Sequence, residues 1–128
     1  MNICTHNNID KELCGTPIEQ KDGFCRIKLV TSERMSVDTH HLVHGGFVFG
    51  LADHAAMLAV NDPNVVLGQA LVKFLKPVQP NETLIAEANV HTVAGKKQTV
   101  HVSVLRNADT VFEGDFVCFV LKTHVLDS

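Results

Sequence analysis

The sequence predicts an α+β domain in which a curved antiparallel sheet wraps around one long helix. Three observations predict it. Residues 45–61 form a helix-favouring run that is apolar on nearly every face, so it must be enclosed. Four strand-like segments follow it, the last three joined by short turns suited to antiparallel hairpins. No second helical layer is available in the 128 residues, so the sheet has to do the enclosing.

The elements follow in order. "NNIDKELCG" reads as a short helix, closed by Gly15 and Pro17, within an N-terminal arm spanning residues 1–20. "FCRIKLV" (24–30) alternates Cys25, Ile27 and Leu29 with Arg26 and Lys28, the pattern of a half-buried strand. The central helix has good formers at Leu51, Ala52, Ala55, Ala56, Met57, Leu58 and Ala59, has no internal proline, and stops at "NDPN". Strands are expected over 65–75, 83–93, 97–106 and 110–123, with a proline-punctuated loop, "KPVQPNE", before the second of them. Gly114 inside the last strand suggests a bulge. That strand is apolar on both faces, with Val117, Phe119 and Leu121 opposite Phe116, Cys118 and Val120. A second covered surface is therefore expected, supplied by another subunit.

Composition narrows the function. Hydrophobic residues make up 45% and charged residues 20%, an ordinary globular balance for a single domain over residues 1–128. The net charge of −3, with scattered Lys and Arg, gives no support for nucleic-acid binding. No apolar run is long enough to span a membrane, and no signal peptide is evident, so a cytoplasmic location is expected. Cys4, Cys14, Cys25 and Cys118 form no CxxC pair and are expected to be free thiols. His40, His41 and His44 make an HHxxH string, but two glycines follow at once. The string reads as a loop leading into the helix, and no metal is expected. His54 points about 100° away from its neighbour Asp53 and reads as structural or interfacial.

The chemistry concentrates where that loop meets the helix. Asp53 is the one carboxylate inside the most hydrophobic segment, and a helix N-terminus at Gly45 and Gly46 presents unpaired N–H groups. The stretch His44-Gly45-Gly46-x-x-Phe49-x-Leu51-Ala52-Asp53 resembles the start of the central helix in hotdog-fold acyl-CoA thioesterases. The phenylacetic-acid-degradation type is the nearest likeness, with the 4-hydroxybenzoyl-CoA thioesterases related. The likeness continues through "VKFLKPVQPNETLIAEANVHTVAGKKQTVHVSVL" and covers roughly residues 24–121.

The resemblance implies a hotdog fold and hydrolysis of an acyl-CoA or acyl-carrier thioester. It implies Asp53 as the catalytic carboxylate, the Gly45 N–H as the group polarising the thioester carbonyl, and His44 as a substrate-bonding or loop-orienting residue. Asp38 stands where such enzymes commonly carry Asn. A second thioesterase branch places its acid in this loop, so Asp38 is the other candidate catalytic acid. Asp53 could serve as general base or as nucleophile. Lys76, Gly95, Lys96 and Lys97, with Arg106, are the candidates for holding the coenzyme phosphates. Gly46, Phe49, Met57 and Phe74 are candidates for the acyl pocket. Coenzyme A enters as part of the substrate, and no separate cofactor is implied. A homodimer or a dimer of dimers is implied, with the site between subunits. A non-catalytic acyl-CoA-binding module of the same fold is the competing reading.

Overall fold

The computed structural model describes residues 1–127. Its elements are α1 (Lys11–Cys14), β1 (Thr16–Lys21), β2 (Phe24–Val30), α2 (Gly45–Val60), β3 (Val65–Phe74), β4 (Thr83–Ala94), β5 (Lys97–Arg106) and β6 (Asp109–Val120). The strands form one antiparallel sheet in the order β1-β2-β4-β5-β6-β3, curved around α2. This is the hotdog arrangement, with the central helix ending one residue before the expected boundary. Asn61 is its left-handed C-cap (φ 52°), and its N–H donates to the Met57 carbonyl.

Two expectations need correction. Residues 16–20 were assigned to the arm but belong, with Lys21, to the first strand of the sheet. Pro17 reads in the sequence as closing the short helix, yet it lies in β1, an edge strand, where proline is tolerated. Its pairing with β2 slips at Ile18, the unpaired residue of a bulge. Gly114, by contrast, is not a bulge: pairing runs through it unbroken on both sides. The bulges on the later strands fall at Gly68, His91 and Val111. Gly114 is glycine because β3 passes too close, since a Cβ there would lie 2.6 Å from Val72 Cγ1 and 2.7 Å from the Leu71 carbonyl oxygen.

The core sits between helix and sheet. Ile27, Leu29, Leu84, Val100, Val102, Val104, Phe112 and Phe116 point inward onto Leu51, Ala55, Met57 and Leu58. The outer face is more polar than expected. Arg26 bridges Glu19 and Glu87 across the strands, and His101 Nδ1 lies 3.0 Å from Asp115 Oδ1. Phe116 and Cys118 are fully buried, while Val117, Phe119 and Leu121 are only half-buried. The large exposed apolar side chains of β3 are Leu71 and Phe74, at 77% and 57% exposure. The surface still to be covered therefore includes this free edge strand.

Three segments fix the start of α2. The N–H of His44 donates to the Met35 carbonyl, and that of Val43 to the Val78 carbonyl, each at 2.9 Å. The proline loop that carries Val78 is in turn fastened to buried Thr31. The Thr31 hydroxyl donates to the Gln79 carbonyl at 2.7 Å and accepts the Glu82 N–H at 2.9 Å.

Gly114→Ala should destabilise the fold by roughly 2–3 kcal/mol, because the new methyl meets backbone that cannot yield. Gly95→Ala, in a turn at φ 63° with open space around it, should cost only about 1 kcal/mol. Denaturant midpoints of the two variants check the ranking.

Candidate active site

The site is built on one stripe of α2. The helix buries Val48, Leu51, Ala52 and every residue from His54 to Ala59. Gly46 is exposed, and Phe49, Gly50, Asp53 and Val60 are half-buried. These residues recur at helical spacing and mark the side of the helix that the sheet leaves open. The arm flanks this side. The Nδ1 of fully buried His54 lies 3.1 Å from the Cys14 carbonyl, so that nitrogen carries the proton. Burial also lowers the His54 pKa, which keeps the ring neutral. His54 is a structural tie between α2 and α1.

Asp53 stands in the middle of the open stripe. Its Oδ1 is buried and has no hydrogen-bond partner. Burial pushes its pKa up to about 6. A desolvated carboxylate oxygen without a donor is costly unless something else arrives to satisfy it. Asp38 has the opposite environment. It is exposed, and its Oδ1 accepts the N–H groups of His40 and Leu42, closing the loop before the helix.

At the helix N-terminus the first two N–H groups, those of Gly45 and Gly46, find no acceptor among the described residues. His44 is the N-cap by position, but its side chain makes no capping bond. Its exposed ring lies edge-on to Phe47, at 6.2 Å between centroids, and close over Gly46. A cavity of about 310 Å³ opens beside Gly45. Buried Val43, Val48, Val78 and Val111 line it, together with Phe74. A polar cavity adjoins it through Leu42 and Pro77 and carries Asp38, His40, Gln79, Glu82 and Arg106.

The structure separates several predicted site residues. Phe74 lies against Gly45, whereas Met57 is sealed in the core at 1% exposure and lines no part of that cavity. Phe49 joins an aromatic cluster, 5.4 Å from Phe116 and 6.5 Å from Phe112. Lys76 lies at the cavity rim, 3.2 Å from Asp109. Arg106 is held by Glu82 and the Pro77 carbonyl. Gly95, Lys96 and Lys97 form the β4–β5 turn, at the opposite end of β5 from Arg106. At about 3.3 Å per residue that end is roughly 30 Å away, beyond reach of the Gly45 site in the same subunit. His41 pairs with Glu33, and among the described residues no three His, Cys, Asp or Glu side chains group to hold a metal ion. All four cysteines are free thiols, and burial pushes Cys25 and Cys118 up to about 12. The valines of the cavity went unnoticed in the sequence, because Val43, Val78 and Val111 come from three separate segments and share no periodicity.

The sequence pattern of the Thioesterase superfamily matches residues 40–113, more than half of the chain and all of this site's helix. The chain belongs to the thioesterase superfamily. An Aquifex aeolicus protein named methylthioribose-1-phosphate isomerase is 49% identical over 116 residues, which is 91% of this chain but 25% of that protein. A protein of Caldanaerobacter subterraneus subsp. tengcongensis named transcription factor FapR is 28% identical over 85 residues, 66% of this chain and 42% of that protein. The thioesterase-superfamily chain thus spans a quarter of the one relative and under half of the other. The crystal structure of an uncharacterized Pyrococcus horikoshii protein matches with a TM-score of 0.98 and 50% identity, over 99% of this chain and 98% of that one. Two structures share the fold alone. One is the E. coli PaaI protein from the phenylacetic acid degradation operon (TM-score 0.81, 24% identity, 89% of this chain and 84% of that one). The other is a hypothetical thioesterase with coenzyme A from Streptococcus pneumoniae (0.77, 18%, 85% and 87%). No helix of the described residues is long and apolar enough to cross a membrane.

The raised Asp53 pKa carries a stability signature. Between its unfolded value and about 6 the native state binds more protons than the unfolded chain, so stability falls as pH rises through that window. Asp53→Asn should therefore stabilise the isolated subunit at about pH 8, by at most about 3 kcal/mol, with the gain vanishing below about pH 4. Thermal melts of both proteins across pH check the sign.

Proposed function

We propose that this protein hydrolyses the thioester of an acyl-CoA, with Asp53 as the catalytic carboxylate and the Gly45 N–H as the oxyanion donor. The observation that carries the reading is the buried, unpartnered Oδ1 of Asp53 on the open stripe of a helix whose first amides are also unpartnered. Attack on a thioester carbonyl develops negative charge on its oxygen, and an amide at a helix N-terminus stabilises that charge. A carboxylate with a pKa near 6 is ionised at neutral pH and basic enough to take a proton from water. Asp38 is exposed and committed to its loop, which favours Asp53 over it. The superfamily match and a coenzyme A-bound structure of the same fold support the substrate class.

Geometry adds a requirement. Gly45 and Asp53 lie eight residues apart on one helix, about 12 Å along its axis at 1.5 Å per residue. A reacting carbonyl needs both groups at about 3 Å, so one subunit cannot supply both to one thioester. We therefore place the reaction between two subunits, the amide from one and the carboxylate from the other. The exposed edge of β3, with Leu71 and Phe74, supports a homodimer formed on that side. The carboxylate then also gains the donors it lacks within its own chain. The likeness to proteins named as transcription factors favours the competing reading, a module that binds its ligand without hydrolysing it.

Release of free thiol from acyl-CoAs separates the two. Asp53→Asn should lose at least about 10³-fold in kcat, and Asp38→Asn should stay within about threefold. Tight binding of coenzyme A thioesters without thiol release by the native protein would establish the binding module instead. In the native enzyme kcat/KM should rise with pH and level off at or below about 6, since donors from the partner lower the carboxyl from its single-chain value. Gly45→Pro, at the first helical position where proline is tolerated, removes the oxyanion N–H. Mixed dimers of Gly45→Pro and Asp53→Asn subunits should regain about a quarter of native activity, since half the random dimers carry one intact site of two.

A further inference from the structure

We infer that the cavity beside Gly45 takes the acyl tail, and that Phe74 sets the upper limit on its length. This rests on the thioesterase reading given above. The walls supply the first argument. Val43, Val48, Val78 and Val111 are each at most 4% exposed, so the floor is fixed and apolar. The charged side chain on the lining is Lys76, which already pairs with Asp109. The amides of a pantetheine arm would lose their water here without finding partners, whereas a hydrocarbon tail loses nothing. The adjoining polar cavity, with Gln79, Glu82 and Arg106, offers the partners that the arm needs.

Size supplies the second argument. The cavity's volume of about 310 Å³ corresponds to about ten non-hydrogen atoms at roughly 30 Å³ each, the share of a water molecule in the liquid. That volume is enough to cover a short or compact acyl group.

The third argument identifies the limiting side chain. Phe74 lies against the Gly45 α-carbon so closely that a Cβ there would be 3.1 Å from its ring. The ring stands edge-on to Phe112, 5.1 Å between centroids and 76° between planes. Phe112 is fully buried, while Phe74 is 57% exposed. One ring is a fixed base, and the other is a roof that rests on Phe112 and Gly45 and stands on the side where the proposed partner packs. A tail leaving Gly45 through this cavity runs under that roof, so its length is limited where the ring ends the space.

The test is a chain-length profile with butyryl-, hexanoyl-, octanoyl- and palmitoyl-CoA for the native protein, Phe74→Leu and Phe74→Ala. The native enzyme should prefer the short chains, with kcat/KM for palmitoyl-CoA at least about tenfold lower than for hexanoyl-CoA. Phe74→Ala should raise the palmitoyl-to-hexanoyl ratio by about tenfold or more, with Phe74→Leu in between. Native preference for palmitoyl-CoA, or ratios within about twofold across the three proteins, overturns the inference while leaving the hydrolase reading standing. Absence of thiol release from every thioester, or full activity in Asp53→Asn, removes the hydrolase reading and this inference with it. Melting curves and elution volumes of the variants identify any that misfold. In that case the native profile and the surviving Leu variant decide.

Discussion

The structure depends on hiding α2. A sixteen-residue helix with nine buried positions cannot exist in water on its own account, and six strands curve to accept it. Enclosure by a single sheet is never complete, since a curved sheet is open along one side. Here that side carries Gly46, Phe49, Gly50, Asp53 and Val60, and Asp53 among them is the helix's one carboxylate. The position left open by the fold and the position holding the unpartnered carboxylate are therefore the same. Hydrophobic enclosure places the chemistry.

Two opposed electrostatic arrangements follow from that placement. Asp53 lies in a desolvated setting with no donor for Oδ1, and its negative field contributes to raising the Cys14 and Cys118 thiols, after the larger effect of their own burial. The helix N-terminus has donors without an acceptor. Within one chain the two are held apart by the rigid helix that carries both. In the proposed reaction they complement each other only between chains, which would make assembly a condition of the chemistry.

Much of this was legible in the residues. Good helix formers from Leu51 to Ala59 and the "NDPN" stop gave α2 to within a residue, and the hairpin turns after β4 and β5 gave the later strands closely. The HGG…LAD spacing pointed to Gly45 and Asp53; the structure has Gly45 at the first helical position beside a cavity and Asp53 half-buried on the open side of the helix. What was not legible depends on neighbours distant in sequence. Pro17 hid β1, because whether a strand is an edge is decided by the sheet and not by the strand. Gly114 looked like a bulge, but its cause is the nearness of Val72 on another strand. Lys96 and Lys97 looked suited to phosphate, and strand length carries them to the far end of β5, out of reach of their own subunit's Gly45. Met57 fits a pocket in composition and a core in position.

The slip at Ile18, together with Pro17, has a consequence for how large an assembly can grow. A flat sheet with two receptive margins can add copies indefinitely, as fibrils do. Here one margin is irregular and short of a donor, so it makes a poor template, while the ten-residue β3 is regular beyond its single bulge. Pairing through β3 alone uses the same surface on both molecules and exhausts it. A chain with one receptive margin would have a valence of one in the plane of its sheet, so strand-to-strand association would stop at two copies instead of polymerising.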